Sequence, residues 1–147
     1  MSQRALNSLL RLRRARVLQA QARVAASARQ LDEIRKQVAE HEGLVSDYGL
    51  DRLGAAASPE AVLRNRRFAG KLLDVVDTRR RQASLLQHDL LRQEAAMQLA
   101  HRQQRSAELV LEKATAAQNL QAARKLRRRS IHRGDLSGRW ENQQESD

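Results

Sequence analysis

The sequence predicts an all-α protein, an antiparallel two-helix coiled-coil hairpin, from three observations. Ala, Leu, Arg and Gln, which all favour helices, supply 84 of the 147 residues, whereas proline occurs once. Apolar residues recur every seven positions in two long stretches, and the proline lies between those stretches. No run of β-branched residues indicates a strand.

The first helix is predicted over residues about 3–50. Counting in sevens from Leu10 gives six successive apolar residues, ending at Val45, and this pattern is typical of a helix that packs against a partner helix. The second interface position of each heptad is less consistently apolar, and it is occupied by Arg13 and His41 in two of the heptads. Arg13 is unfavourable there unless its aliphatic part lies along the interface and its guanidinium reaches water. We interpret His41 as a polar residue of the interface.

A loop is predicted over residues about 51–58, and a second helix over residues about 59–130. Ser58 can cap the free N–H groups of a helix start, Pro59 suits the first helical position, and Glu60 favours the positive end of the helix dipole. These three residues make the clearest helix start in the chain.

The second helix carries its own heptad series, which is apolar to about Leu111 and polar afterwards. If the chain folds back near residue 55, Leu10 lies opposite residue 100, and the later part of the second helix projects past the N-terminus. Residues 1–133 are therefore predicted to form one hairpin. Residues 134–147 are predicted to form a polar, flexible tail.

The net charge of +11 is concentrated in two parts of the chain. Residues 1–31 contain seven arginines and no acid, and residues 100–133 contain nine Lys or Arg against two acids. Residues 32–99 are neutral, and the last residues are acidic. A hairpin brings the two basic stretches to the same end of the molecule, which we predict to be the functional end.

Several classes of function are disfavoured. The chain has no cysteine, no glycine-rich phosphate loop and no pair of histidines spaced to hold a metal on a helix. Two helices also offer no concave site that excludes water. We therefore expect a non-enzymatic protein without a cofactor. No apolar run is long enough for a membrane span, and no secretory signal is recognisable, so a cytoplasmic location is expected.

The basic stretches could bind nucleic acid, an anionic membrane surface or an acidic protein surface. No aromatic residues alternate with the charges, as stacking on bases would require, and Trp and Phe anchors for a membrane are missing from both stretches. Phosphate neutralisation needs only charge, so these absences do not decide between the three candidates, and an acidic protein surface is the third of them. Nucleic acid is not the expected partner. A basic helical nucleic-acid-binding protein and a general coiled-coil adaptor or chaperone are the alternatives.

The chain resembles the FliJ/YscO/HrpO-type proteins of flagellar and virulence type III secretion systems. The resemblance rests on chain length, on the Leu-Leu-Arg-Leu-Arg-Arg run at residues 9–14, on the mid-chain turn and on the basic end of the second helix. It implies a cytoplasmic stalk, peripheral to the inner-membrane export apparatus, whose terminal arms enter a hexameric export ATPase. The stalk would link that ATPase to the export gate, and export chaperones are further partners that the resemblance suggests.

The resemblance also implies contact residues. Phe68 and Leu72 match the Phe-x-x-x-Leu start of the segment that contacts the export gate. Leu72 is also a heptad position, so packing against the first helix is the alternative for it. The candidate contacts with the ATPase are the basic residues of the two arms: Arg11, Arg13, Arg14, Arg16, Arg124, Lys125, Arg127, Arg128 and Arg129.

Overall fold

The computed structural model describes residues 1–48 and 58–144, with side chains described up to residue 136. It contains two helices, α1 (Gln3–Asp47) and α2 (Pro59–Gln144). They pack against each other in antiparallel directions, so the chain is an all-α helical hairpin. The predicted loop lies, apart from Ser58, outside the described residues.

Each helix begins at a capping serine. The backbone N–H of Ala61 donates to Ser58 Oγ at 3.2 Å, and α2 begins at Pro59, as predicted. The N–H of Ala5 donates to Ser2 Oγ in the same way, also at 3.2 Å. Ser2 was not predicted as a cap. Both hydroxyls satisfy donors that a helix start would otherwise leave open.

Replacing Ser58 should weaken the start of α2. We expect Ser58→Ala to lower the free energy of unfolding by about 1 kcal/mol, because the Ala61 N–H loses its acceptor. Ser58→Asp restores an acceptor and serves as the control. Urea unfolding followed by circular dichroism at 222 nm measures both variants. An unchanged midpoint for the alanine variant would show that the cap contributes nothing.

The interface between the helices follows the predicted heptads. Every position of the two series is buried or half-buried, from Leu6 to Val45 in α1 and from Val62 to Ala114 in α2. Within α1 the side chain of His41 is half-buried, and its Nδ1 donates to the Gln37 carbonyl at 2.6 Å, which confirms the interpretation as a polar interface residue. The buried side chains of the described residues are Leu6, Leu10, Val17, Leu31, Leu72, Val76 and Ala107.

Contacts within the chain divide it into two units, Met1–Ala15 with Arg102–Asp147, and Arg16–His101. In the second unit, polar pairs flank the apolar interface on the outside. Arg35 donates to Gln87 Oε1 at 3.0 Å, and Arg80 forms an ion pair with Glu42. Exposed pairs of this kind contribute little stability, so packing of the heptad residues holds this unit together.

The second helix is longer than predicted, because it continues past Gly134 to Gln144 instead of ending near residue 130. A glycine within a helix costs only about 1 kcal/mol relative to alanine, so Gly134 does not stop it. The flexibility expected of residues 134–147 stays a prediction. In the described residues neither helix contains a segment apolar and long enough to cross a membrane.

Candidate functional site

The first unit is built where the start of α1 packs on residues 102–115 of α2. Leu6, Leu10 and Ala107 are buried there, at 6–8% exposure. An open and mainly apolar cleft of about 330 Å³ lies beside them, and its lining includes Met1 and Val110. The start of α1 therefore lies beside residues 102–110, further along α2 than residue 100, where Leu10 was predicted to pack.

Two of the arginines predicted to contact a partner are used within the hairpin. Arg13 is half-buried at its heptad position, and its guanidinium donates to Gln103 Oε1 at 2.6 Å. Arg14 forms an ion pair across the helices with Glu108 at 3.7 Å. Neither guanidinium is a free contact. Arg13 is tolerated in the interface because the amide oxygen of Gln103 accepts a hydrogen bond from its guanidinium.

Glu108 is the acid that the surrounding cations share. Its carboxylate accepts from Gln104 Nε2 at 2.9 Å and lies 3.4 Å from the Arg105 guanidinium, in addition to Arg14. The hydrogen bond from Gln104 lowers the pKa of Glu108, the neighbouring arginines lower it further, and partial burial opposes them. The carboxylate is therefore held in its charged form and connects α1 with α2.

Acid should weaken this connection. The pKa of Glu108 in the folded chain lies below the ordinary value of 4.5. The carboxylate therefore makes its full contribution to stability at pH values above 4.5. The contribution is lost as the pH falls through the folded pKa. We expect Glu108→Gln to unfold with less pH dependence than the native chain between pH 6 and pH 3, measured by urea titration. Glu112→Gln is the control, and equal pH dependence in Glu108→Gln and the native chain would contradict the prediction.

Among the α1 arginines of the first unit, Arg4 and Arg11 stay free. Both side chains are exposed, and neither forms an ion pair among the described residues. They are seven residues apart, so they lie on the same side of α1. Arg4 was missed by the sequence-based prediction, although its spacing from Arg11 is the signal that could have identified it.

Arg16 belongs to the second unit. It lines a cleft of about 230 Å³ with Arg23 and with small residues that include Ala20 and Ala96. The arginines and the lysine that were predicted to contact the ATPase are therefore divided between the two units.

The basic residues of α2 that were predicted to contact the ATPase lie on a part of the helix that α1 does not cover. Thr115 is the last half-buried residue, and every side chain from residue 116 to residue 136 is exposed. We call residues 116–136 the basic extension. Its six cations are Arg124, Lys125, Arg127, Arg128, Arg129 and Arg133, and Asp135 is its one acid.

The basic extension stands apart from the basic part of α1. Arg124 is 14 residues beyond Val110, which lines the same cleft as Met1. At 1.5 Å per residue, this is about 20 Å along the helix. Within the first unit, the basic extension and the arginines at the start of α1 therefore lie at successive levels along α2.

The basic extension is also electrostatically unfavourable by itself. Pairs such as Arg124 with Arg128 and Lys125 with Arg129 place like charges four residues apart, and each pair of this kind costs about 0.2–0.5 kcal/mol. None of these cations forms an ion pair with a described residue. An anionic partner would relieve this repulsion.

The two residues predicted to contact an export gate differ in exposure. Leu72 is 8% exposed and packs in the interface between the helices, so the alternative interpretation of that residue is confirmed. Phe68 is 44% exposed, and its ring lies edge-to-face against Tyr48, with 4.8 Å between the ring centroids. Tyr48 directly follows α1 and was not predicted as a contact. The exposed aromatic pair therefore joins the residue after α1 to a residue of α2.

Comparisons with known proteins give no relative. No protein-family model, curated protein or solved structure matches the chain. Its binding properties are therefore inferred from its own surface.

Proposed function

We propose that the chain is the non-enzymatic central stalk of a type III secretion export apparatus. In this role it lies in the cytoplasm beside the inner membrane. The basic end of the hairpin inserts into a hexameric export ATPase, and the protein couples that ATPase to the export gate. Export chaperones are additional partners in the same role.

The basic extension is the observation that carries this proposal. It is a helix with 21 exposed residues, six cations and one acid, and α1 covers none of it. Charge that is not neutralised within the chain is available to another molecule, and complementary charge speeds and orients docking. Arg4 and Arg11 add free cations nearer to the start of α1.

A stalk of this kind can regulate an ATPase without chemistry of its own. One hairpin in a ring of six subunits cannot touch all six equally. Subunits in contact with it are biased toward the nucleotide state that binds it best, and only such a difference in affinity can shift the equilibrium. The ring is then stabilised by the same contacts, because binding favours the assembled state.

The contact with the export gate is proposed at the aromatic pair of Phe68 and Tyr48. Both rings are more than 40% exposed, whereas Leu72 is withdrawn into the interface. Exposed aromatic residues are frequent anchors of protein interfaces. Within this function, Phe68 remains a candidate contact, and Leu72 is buried in the interface between the helices.

The stalk function is tested by ATP hydrolysis. The purified hexameric export ATPase of the same organism is assayed with increasing amounts of the chain, and we expect its activity to rise. The double variant Arg4→Glu/Arg11→Glu should require about three- to tenfold more protein for the same stimulation, since two exposed charges are reversed. Arg13 and Arg14 are left unchanged because they stabilise the hairpin.

The matched control is Arg66→Glu/Arg67→Glu, which reverses two exposed arginines near the start of α2. It should stimulate as the native chain does. A native chain that leaves the activity of the ATPase unchanged would refute the stalk function, and equal effects of the two double variants would refute the part assigned to Arg4 and Arg11.

The second candidate function is nucleic-acid binding, which the same basic extension favours. Neutralising six phosphates would make log K fall with log salt with a slope of about −5 on duplex DNA. Fluorescence anisotropy of a labelled duplex between 50 and 200 mM salt measures that slope. Tight binding with this slope, together with no effect on the ATPase, would favour nucleic acid over the stalk.

A further inference from the structure

The two flanks of the interface differ within the second unit. A coiled-coil interface is flanked by the heptad positions e on one side and g on the other. With Leu10 and Val62 as a positions, the polar pairs that join α1 to α2 among the described residues of this unit are all at e positions. We call this flank the polar edge. Its pairs are Gln21 with His101, Arg35 with Gln87 and Glu42 with Arg80.

The opposite flank lacks such pairs. No hydrogen bond or ion pair crosses from one helix to the other between its described side chains. Leu44, Phe68 and Val75 lie on it and are 40–44% exposed, whereas Leu73 is the one comparable side chain described on the polar edge. We call this flank the open edge. It consists of Arg16, Arg23, Gln30, Gln37 and Leu44 of α1 and of Phe68, Val75, Gln82, Asp89 and Ala96 of α2.

The cleft of about 230 Å³ lies on the open edge. Its lining includes the small side chains of Ala20, Ala96 and Ala100, which leave room for a further helix to approach closely. Gln93 also lines the cleft, and its Oε1 atom is buried without a donor from the described residues. The same holds for Oε1 of Gln37. Buried acceptors without a donor are unfavourable, so this edge has unmet hydrogen bonds as well as space.

Arg16 and Arg23 determine the charge that a partner needs. They are exposed, lie seven residues apart on one side of α1, and form no ion pair with a described residue. The acid of the open edge, Asp89, already pairs with Arg92 at 3.8 Å. A second copy of the chain would bring two more arginines and no free acid to this edge. An acidic partner from another protein therefore fits it better.

We propose that the open edge binds an amphipathic helix of another protein, which places acidic residues beside Arg16 and Arg23. Its apolar face would cover Leu44, Phe68 and Val75 and complete a three-helix bundle. The open edge spans 28 residues of α1, from Arg16 to Leu44, so a helix of about 40 Å covers it. The inference goes beyond the proposed function, because it needs neither the ATPase nor the basic extension. The gate contact at Phe68 would be one end of this surface.

The probe is a synthetic helical peptide of about 28 residues, with leucine at its a and d positions and glutamate at the flanking positions. Its binding to the full chain is measured by fluorescence anisotropy. The test variant is Arg16→Glu/Arg23→Glu. The matched control is Arg29→Glu/Lys36→Glu, which reverses two exposed cations seven residues apart on the outer side of α1. Both variants have the same net charge, so a difference between them measures position.

We expect the test variant to bind the acidic peptide about tenfold more weakly than the native chain, and the control to stay within about threefold of it. A second peptide, with lysine in place of glutamate, should bind the test variant more tightly than the control. Misfolding cannot produce that gain. A photo-crosslinking residue in place of Gln30 should label the acidic peptide, and one in place of Asp32, on the other side of α1, should not.

Three results would overturn the inference: equal binding of the acidic peptide by the two double variants, labelling from position 32 but not from position 30, and no binding by the native chain. Labelling of one copy of the chain by another from position 30 would overturn it as well, because the occupant would then be a second copy. None of these results bears on the stalk function, which is tested separately by ATP hydrolysis.

Discussion

Truncation of the chain after Thr115 is expected to abolish stimulation of the export ATPase and to leave the hairpin folded. Thr115 is the last half-buried residue among the described side chains, and those of residues 116–136 are all exposed, so their removal uncovers none of the interface with α1. The truncated chain loses all six cations of the basic extension. Loss of six charge contacts of about 0.5 kcal/mol each corresponds to a loss of affinity of more than a hundredfold.

The measurement combines ATP hydrolysis with urea unfolding, and a chain that ends at Leu136 is the control. That chain keeps the basic extension and should stimulate the ATPase as the complete chain does. Unchanged stimulation by the chain that ends at Thr115 would contradict the role of the extension. A large drop in its unfolding midpoint would contradict the claim that α1 does not need the extension.

Leu31→Ala is expected to have the largest effect of any single substitution on stability. Leu31 is 3% exposed in the interface of the second unit, and a buried Leu→Ala change costs about 2–4 kcal/mol. In a chain of 147 residues this lowers the melting temperature by about 10 °C. The cost arises because few of the described interface residues are buried, so each of them carries a large share of the packing energy.

The matched control is Leu18→Ala, the same change on the same helix. Leu18 is 66% exposed, so its replacement should alter the free energy of unfolding by less than about 0.5 kcal/mol. Thermal melts followed by circular dichroism at 222 nm compare the two variants. Equal melting temperatures would mean that the helices do not pack through Leu31.

The interface between the helices could be predicted from the sequence because heptad spacing is a local property. A residue seven positions from Leu10 lies on the same side of α1 whatever the helix packs against. The cap at Ser58 was predictable for the same reason, since it depends on three or four neighbouring residues. His41 was correctly placed by its heptad position alone.

The state of individual charges could not be predicted, because it depends on residues far away in the sequence. The heptads place Arg13 in the interface and Arg11 outside it, but they do not show that Gln103 accepts a hydrogen bond from Arg13. Glu108 gives one recognisable signal, because it is one of two acids in a basic stretch. Its partnership with Arg14 is visible only when the helices are aligned.

The sequence by itself determined that this protein is two helices, which of their sides meet, and where its excess positive charge lies, because helix periodicity and charge are properties of neighbouring residues. The tertiary structure decided the relative register of α1 and α2. That register settles which arginines are neutralised, withdraws Leu72 from the surface and leaves residues 116–136 uncovered. Register depends on the sum of many weak contacts between residues about 40 to 90 positions apart, and no local pattern records that sum.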